Sequence, residues 1–130
     1  MFDWEGYLRL AEELSKSKDN ESHHRAAVSR AYYAAFNIAL LYVKDIKQAR
    51  VTAGKVHESV WLAFETKRPG IKLEEYRTRD YGFKLRDFRV SADYKAEGKN
   101  FGQTALSAIS LAKSIITSVN SLRQSQQSTQ

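Results

Sequence analysis

Cysteine is absent from this chain of 130 residues, and proline occurs once, at Pro69. The absence of cysteine excludes a disulfide framework, a cysteine-based zinc site and a thiol nucleophile. Scarce proline argues against a β-sandwich with many turns and leaves helices as the expected structure. The sequence also lacks a glycine-rich phosphate loop after a strand, a Gly-x-Ser-x-Gly elbow and a His pair at metalloprotease spacing. We therefore expect a small all-α domain outside those enzyme classes.

Long apolar runs are also missing from the sequence. The N-terminal segment carries acidic side chains without an apolar core, so we expect no secretory signal. No window of about 18 apolar residues is predicted to span a bilayer. We expect one cytoplasmic domain over residues 1–123, without membrane contact. The Ser- and Gln-rich segment 124–130 has little to bury and is predicted to be a disordered tail.

The charge balance is basic. Lys and Arg total 21 against 15 Asp and Glu, which gives a net charge of +6 and a pI of about 9.6. Such a balance favours contact with phosphates or acidic partners. It is also typical of an ordinary solvated surface, and both interpretations remain open.

Apolar residues recur at three- and four-residue steps along most of the chain, which is the pattern of amphipathic helices. We expect the second helix to be central because its many alanines let neighbouring helices approach closely. Gly82 lowers helix propensity in the fourth, so the sequence leaves open whether the stretch before it is helical, a loop or a separate turn. The predicted helices span residues 3–17, 21–45, 56–64, 73–94 and 100–122.

The fourth predicted helix places Arg86, Arg89 and Asp93 on one polar face, because residues three and four apart are neighbours on a helix. Two arginines on one face can clamp a phosphate. The alternative is that Arg89 and Asp93 form an ion pair that only braces the bundle.

In the second helix, Arg30 lies among alanines and needs a carboxylate or an anion if it is buried. Asp93 is the partner that we expect. For Tyr32, Tyr33 and Phe36, packing in the core or at an interface is favoured over stacking on nucleic-acid bases, since tyrosines at helical spacing usually pack.

The histidines do not predict a metal site. His23 and His24 are adjacent and point to different sides of a helix, so they make a poor metal pair. His57 lies near the start of the third helix, where it can act as an acid or base near neutral pH or simply as a hydrogen-bonding residue. We expect neither a metal nor another cofactor.

Three segments together resemble the HEPN superfamily, and they are Ala27–Phe36, Lys55–Val60 and Leu85–Tyr94. The resemblance covers helices two to five and is similar to small stand-alone prokaryotic HEPN proteins. It implies an antiparallel up-and-down bundle of four to five helices that forms a homodimer around a shared cleft. Many HEPN proteins are metal-independent ribonucleases with an Arg and a His separated by four to six residues.

In this chain the matching arginine is Arg89, and Tyr94 stands five positions later; the last histidine is His57. By resemblance, the catalytic candidates are therefore Arg89, Tyr94 and His57. In some HEPN toxins paired with a minimal nucleotidyltransferase, a Tyr at this position receives a nucleotide from the partner. That implies Tyr94 as a modification site and a nucleotidyltransferase antitoxin as a partner.

Three functions remain open. The first is a dimeric HEPN protein of a toxin–antitoxin or defence system. It binds nucleotide or RNA phosphates with Arg30, Arg86 and Arg89, oriented by Asp93 and Tyr94, with or without ribonuclease activity. The second is a non-catalytic adaptor that docks a nucleotidyltransferase or another copy of itself. Its interface would consist of Tyr32, Tyr33 and Phe36. The third is a buried polar network of Arg30, Asp93 and Tyr94 that sets helix register without a ligand.

Overall fold

The protein is a bundle of helices joined by short loops. The computed structural model describes residues 1–128, and within that range it contains no strand. The all-α bundle class predicted from the sequence is therefore confirmed. The α-helices are α1 (Glu5–Ser15), α2 (Glu21–Tyr42), α3 (Val56–Leu62), α4 (Lys72–Tyr94) and α5 (Phe101–Ser128), and a π-helical turn (Val43–Lys47) continues α2.

Helix α2 is the central element and packs against α1, α3, α4 and α5. It begins after Asn20, whose side chain accepts a hydrogen bond from the His23 amide at 3.0 Å. Asn at this position satisfies an amide that has no partner inside the helix. The buried alanines of α2 allow the close approach that was predicted for this helix. They are Ala27, Ala31, Ala34, Ala35 and Ala39.

Helix α4 is continuous through Gly82, which answers the question that the sequence left open. A Cβ atom on Gly82 would lie 2.2 Å from Cδ2 of Trp61, so the Trp61 ring occupies the space of the missing side chain. Trp61 is fully buried. The loss of helix propensity at Gly82 is therefore offset by close packing of α3 on α4, and residues 72–81 form neither a loop nor a separate turn.

Helix α5 extends further than the sequence predicted. It continues past Leu122 to Ser128, so residues 124–128 are helical where a disordered tail was predicted. Gln is a good helix former, and the Arg68 guanidinium donates a hydrogen bond to Oε1 of Gln126, which ties this end of α5 to the loop after α3. Residues 129 and 130 of the predicted tail lie outside the described residues.

Part of α5, Phe101–Gln126, is long and apolar enough to cross a membrane by length and composition, with a mean hydropathy of 1.2. The expectation that no segment would pass this test was therefore wrong. In this structure, however, 44% of the apolar window is buried. Helix α5 packs along α2 and α4 and supplies core residues such as Ile115 and Val119. The arrangement is compatible with a soluble globular fold.

Candidate functional site

Most of the residues singled out in the sequence meet where α2, α3 and α4 face one another. The Tyr32 hydroxyl of α2 lies 2.7 Å from Nδ1 of His57 on α3. The guanidinium carbon of Arg89, on α4, lies 5.3 Å from the centre of the Tyr32 ring. Tyr32 therefore connects the histidine of one helix to the arginine of another.

The Tyr32 hydroxyl is held by two ring nitrogens. Trp61 Nε1 lies 3.1 Å from it, and because an indole N–H only donates, the hydroxyl oxygen accepts this bond. Tyr32 is fully buried, and Nδ1 of His57 is the acceptor within reach of its proton. We therefore assign the hydroxyl as donor to Nδ1. Neutral His57 then carries its proton on Nε2, which is left to donate a hydrogen bond.

The His57 ring lies among aromatic rings. It stacks on Phe36 with centroids 4.3 Å apart and meets the edge of Tyr33 at 6.0 Å. Burial lowers the pKa of His57 from its usual 6.5, and the positive charges of Arg89 and Arg86 lower it further. Burial raises the pKa of Tyr32 to about 12. Both groups are therefore neutral near pH 7.

Arg89 is a buried cation whose hydrogen-bonding capacity is incompletely used. The residue is 7% exposed, although the sequence placed it on a polar face. Its guanidinium carbon also lies 5.6 Å from the Tyr33 ring centre and 5.9 Å from that of Tyr94. Nη1 is 3.7 Å from Oδ2 of Asp93, and Nε is buried with no hydrogen-bond partner. Because an arginine stays protonated, a positive charge is held here mainly by aromatic faces.

Asp93 links α4 to α2 through Ser29 and not through Arg30. The Ser29 hydroxyl donates to Oδ2 of Asp93 at 3.4 Å. Arg30 instead lies over the ring of Tyr7 on α1, 4.9 Å from its centre. Successive residues point about 100° apart on a helix, so Ser29 faces α4 while Arg30 faces α1. The predicted Arg30 to Asp93 pairing was wrong.

The aromatic residues proposed as an interface mostly lie inside the chain. Tyr32 is 0% exposed and Phe36 is 5% exposed. Both pack against Trp61 and His57, which a sequence pattern on α2 alone does not reveal. Neither can form a docking surface in this conformation, whereas Tyr33 is half-buried. Tyr94, by contrast, is 74% exposed.

Arg25 positions the end of α4 and was not identified from the sequence. Its Nη1 donates to the carbonyl oxygens of Ala92, at 3.1 Å, and of Lys95. Its guanidinium carbon lies 4.1 Å from the centre of the Phe101 ring. These contacts satisfy carbonyls that have no partner within a helix end. Glu21, four residues before Arg25, was the one local signal, and the remaining partners are distant in sequence.

The site combines three groups that can bind an anion. Arg89 and half-buried Arg86 carry positive charge, and Nε2 of neutral His57 can donate a hydrogen bond. The Asp93 carboxylate partly offsets this positive charge, because it forms an ion pair with Nη1 of Arg89. This set of groups favours a small or extended anion over a cation.

No protein-family model matches the chain, and neither a curated protein nor a solved structure matches it.

Proposed function

We propose that the chain is a HEPN-like protein that binds the phosphate groups of RNA or of nucleotides at Arg89. Arg86 and the Nε2–H group of His57 are the second and third donors. Arg30, which faces α1, is not part of this set. The observation that supports the proposal is the incompletely satisfied guanidinium of Arg89, buried between the rings of Tyr32 and Tyr33.

The energetic argument concerns the cost of keeping Arg89 buried. A buried hydrogen-bond donor without a partner costs on the order of 1–3 kcal/mol. The separation of 3.7 Å from Asp93 is longer than a charge-assisted hydrogen bond of about 2.7–2.9 Å, so the ion pair compensates only in part. A phosphate offers several oxygens to the planar guanidinium and supplies the missing acceptors once the side chains that leave Arg89 only 7% exposed move aside.

The arrangement of His57 favours binding over cleavage. Attack by an RNA 2′-hydroxyl needs a base for its proton and an acid for the leaving oxygen. The Tyr32 hydroxyl occupies Nδ1 of His57, and Nε2 already carries a proton. Tyr32 itself has a pKa of about 12 and stays protonated. Ribonuclease activity would require His57 to exchange tautomers and break its bond to Tyr32.

Within this proposal the protein acts in the cytoplasm as a homodimer, in a toxin–antitoxin or defence setting, as the family resemblance implies. Half-buried Arg86 lies on the same predicted face as Arg89, and Tyr94 exposes most of its ring next to them. A second copy at this surface would enclose an anion between two arginine clusters.

The direct test is binding of a short fluorescent single-stranded RNA, measured by anisotropy in chelator-treated buffer. Arg89→Gln should weaken binding about 10-fold, which corresponds to about 1.4 kcal/mol. It should also reduce the slope of log affinity against log salt by roughly 0.7, the value for one phosphate contact on a single strand. Arg50→Gln, at an exposed position after the π-helical turn, is the matched control and should change affinity less than about 2-fold.

Removal of the buried Arg89 can affect folding, so circular dichroism and thermal melting accompany each variant. Arg86→Gln provides a second measurement at a half-buried position. Unchanged RNA affinity in folded Arg86 and Arg89 variants would reject the site. The same samples report on cleavage: metal-free cleavage that disappears with Arg89→Gln would show a ribonuclease and reject binding without catalysis.

A second candidate function rests on the exposure of Tyr94. Its ring is 74% exposed and lies beside the Arg89 guanidinium. A nucleotidyltransferase partner could transfer a nucleotide to it. The phenol oxygen would attack the α-phosphate of a nucleoside triphosphate, the phenol proton would leave, and pyrophosphate would be released. The intact mass of protein isolated from its own cells should then exceed the sequence mass by one nucleoside monophosphate, and Tyr94→Phe should remove the increment. An unmodified mass contradicts this function.

A further inference from the structure

A groove between α4 and α5 has the composition of a second anion site. Its cavity has a volume of about 330 Å³, which is at the lower end of the roughly 300–1,000 Å³ of small-molecule sites. Two residues of α4 and four of α5 form its walls. They are Arg77, Tyr81, Lys113, Ser114, Thr117 and Ser118.

The groove is separate from the Arg89 site. Arg77 precedes Arg89 by 12 positions on α4, which corresponds to about 18 Å along the helix axis. Tyr81 and Arg86 point about 140° apart around the same helix. One site therefore opens toward α5 and the other toward α2 and α3, so a ligand in the groove is independent of the function proposed above.

The groove carries positive charge that the chain neutralises only in part. The Arg77 side chain is exposed and makes no hydrogen bond or ion pair with the described side chains or backbone of residues 1–126. Lys113 lies 3.6 Å from Oε1 of Glu12, and the two side chains are 55% and 40% exposed. An ion pair this open to solvent contributes little and is readily exchanged. Of the described residues that line the groove, none is acidic.

The hydroxyl groups of the groove are also available. In the described part of the chain, the side chains of Ser114, Thr117 and Ser118 make no hydrogen bond. Two other helical hydroxyls differ, since Thr78 donates to the Glu74 carbonyl at 2.9 Å and Thr104 donates to the Asn100 carbonyl at 3.2 Å. A side chain that bonds to the preceding turn in this way has used its donor. The three hydroxyl groups of the groove have not used their donors in this way.

We propose that this groove binds the phosphate group of a nucleotide or of an RNA strand. Arg77 and Lys113 provide charge on its two walls, and the three hydroxyls of α5 donate to phosphate or ribose oxygens. The half-buried ring of Tyr81 offers a face on which a base can stack. Phosphate is favoured over a carboxylate because its several oxygens can accept from both cations and the hydroxyls at once.

The first experiment is a titration of the full chain with AMP, followed by amide resonances in two-dimensional NMR spectra. Resonances of Ser114, Thr117 and Ser118 should shift with saturation behaviour. Arg77→Gln and Lys113→Gln should each weaken binding about 10-fold at these resonances. Lys67→Gln, at an exposed position in the loop before α4, should change it less than about 2-fold. Saturable shifts confined to other residues, or equal losses in the control, would overturn the proposal.

Glu12 provides a test in the opposite direction. Glu12→Gln removes the carboxylate that competes for Lys113 and should tighten AMP binding by about 2- to 5-fold. Glu13→Gln changes net charge equally on the same helix, but Glu13 pairs with Lys16 at 3.0 Å and not with Lys113, so binding should stay constant. Equal tightening by both variants would indicate a general charge effect and contradict a defined site.

Two further titrations distinguish the source of the phosphate. If single-stranded RNA shifts the groove resonances at a concentration at least 10-fold below that needed for AMP, RNA is the ligand. If RNA binds the groove no more tightly than AMP does, a free nucleotide is the ligand. Arg89→Gln should leave the chemical shifts of the groove residues unchanged, and the AMP affinity measured from those shifts should also stay the same. Loss of AMP binding in a folded Arg89→Gln variant would overturn the independence of the two sites.

Discussion

The Tyr32 hydroxyl donates a hydrogen bond of 2.7 Å to Nδ1 of His57 while it accepts one from the Trp61 indole. The Tyr32–His57 hydrogen bond determines which atoms of the two side chains carry protons. Tyr32 is buried enough for its pKa to rise to about 12, and the pKa of His57 is lowered by burial and by Arg89. The histidine is therefore a neutral donor at Nε2 near pH 7. A base with a free nitrogen is not available in this arrangement.

Tyr32→Phe should destabilise the protein by about 1–3 kcal/mol, because the buried indole N–H of Trp61 loses its acceptor. Nδ1 of His57 loses its donor in the same variant, so the population of the Nε2–H tautomer should fall. Urea unfolding measures the first effect, and ¹⁵N chemical shifts of the His57 ring measure the second. Tyr33→Phe is the control, since the Tyr33 hydroxyl makes no described hydrogen bond; equal effects of the two changes would refute the assigned network.

The pKa of His57 should lie below its usual 6.5 and should respond to the neighbouring charges. Arg89→Gln should move the NMR titration midpoint of His57 upward, and saturation with phosphate should do the same, because each reduces the positive potential. Arg50→Gln should leave the midpoint in place. A midpoint unaffected by Arg89→Gln would show that the two groups do not interact.

The lowered pKa of His57 also predicts a pH dependence of stability. The unfolded chain binds the proton at about 6.5 and the folded chain binds it only at lower pH. Stability contributed by neutral His57 is therefore complete above about pH 6.5, and it decreases as the pH falls from 6.5 to the folded pKa. Urea unfolding of the wild type and of His57→Gln between pH 8 and pH 5 measures this contribution. The difference in free energy of unfolding between the two proteins should decrease as the pH falls below about 6.5. A constant difference would contradict the prediction.

Gly82→Ala should destabilise the protein, because its new methyl group would overlap the Trp61 ring at 2.2 Å. Overpacking of this kind costs about 1–3 kcal/mol, more than the gain in helix propensity of roughly 0.5–1 kcal/mol. Gly6→Ala is the matched change in α1, where the added Cβ would meet Nη2 of Arg9 at an ordinary 3.6 Å. It should be neutral or stabilising. Thermal melting compares the two, and similar melting temperatures would show that Trp61 can move aside.

Arg25→Ala should loosen the end of α4, because three carbonyls lose a charged donor. We expect a loss of about 1–2 kcal/mol, reduced from the value for fully buried charged hydrogen bonds because the side chain is 18% exposed. Hydrogen exchange should accelerate mainly in residues 92–99. Arg9→Ala, which breaks an exposed pair with Asp3, should cost less than Arg25→Ala. Exchange that is unchanged in residues 92–99 would contradict the role assigned to Arg25.

Local patterns were sufficient to predict the helices and most of the residues that meet at the site. The periodicity around Val28 and Phe36 predicted a central α2, and the alanines explained its close packing. His57 was identified because it is a histidine at the start of a helix. Its position opposite Tyr32 was not predicted, because 25 residues separate the two in the chain.

The features that the sequence left open or missed at these positions have a common cause in packing between helices. From the sequence, Gly82 only lowers the helix propensity of α4. The structure shows that the Trp61 ring fills the space of the missing side chain. Arg30 and Ser29 are adjacent, and which of them faces Asp93 depends on the rotation of α2 relative to α4. The end of α5 was underestimated because the Arg68 contact to Gln126 joins segments 58 residues apart. The HEPN resemblance stays a prediction.

The sequence by itself determined the all-α class, the order of the helices and their apolar faces, because a period of 3.6 residues is a local property of the chain. Only the tertiary structure decided that Arg89 is buried between tyrosine rings and that Tyr32 binds Nδ1 of His57. The reason is physical: burial and hydrogen-bond partners depend on how helices distant in sequence are rotated and packed. The same packing placed Arg77 and Lys113 on opposite walls of one groove.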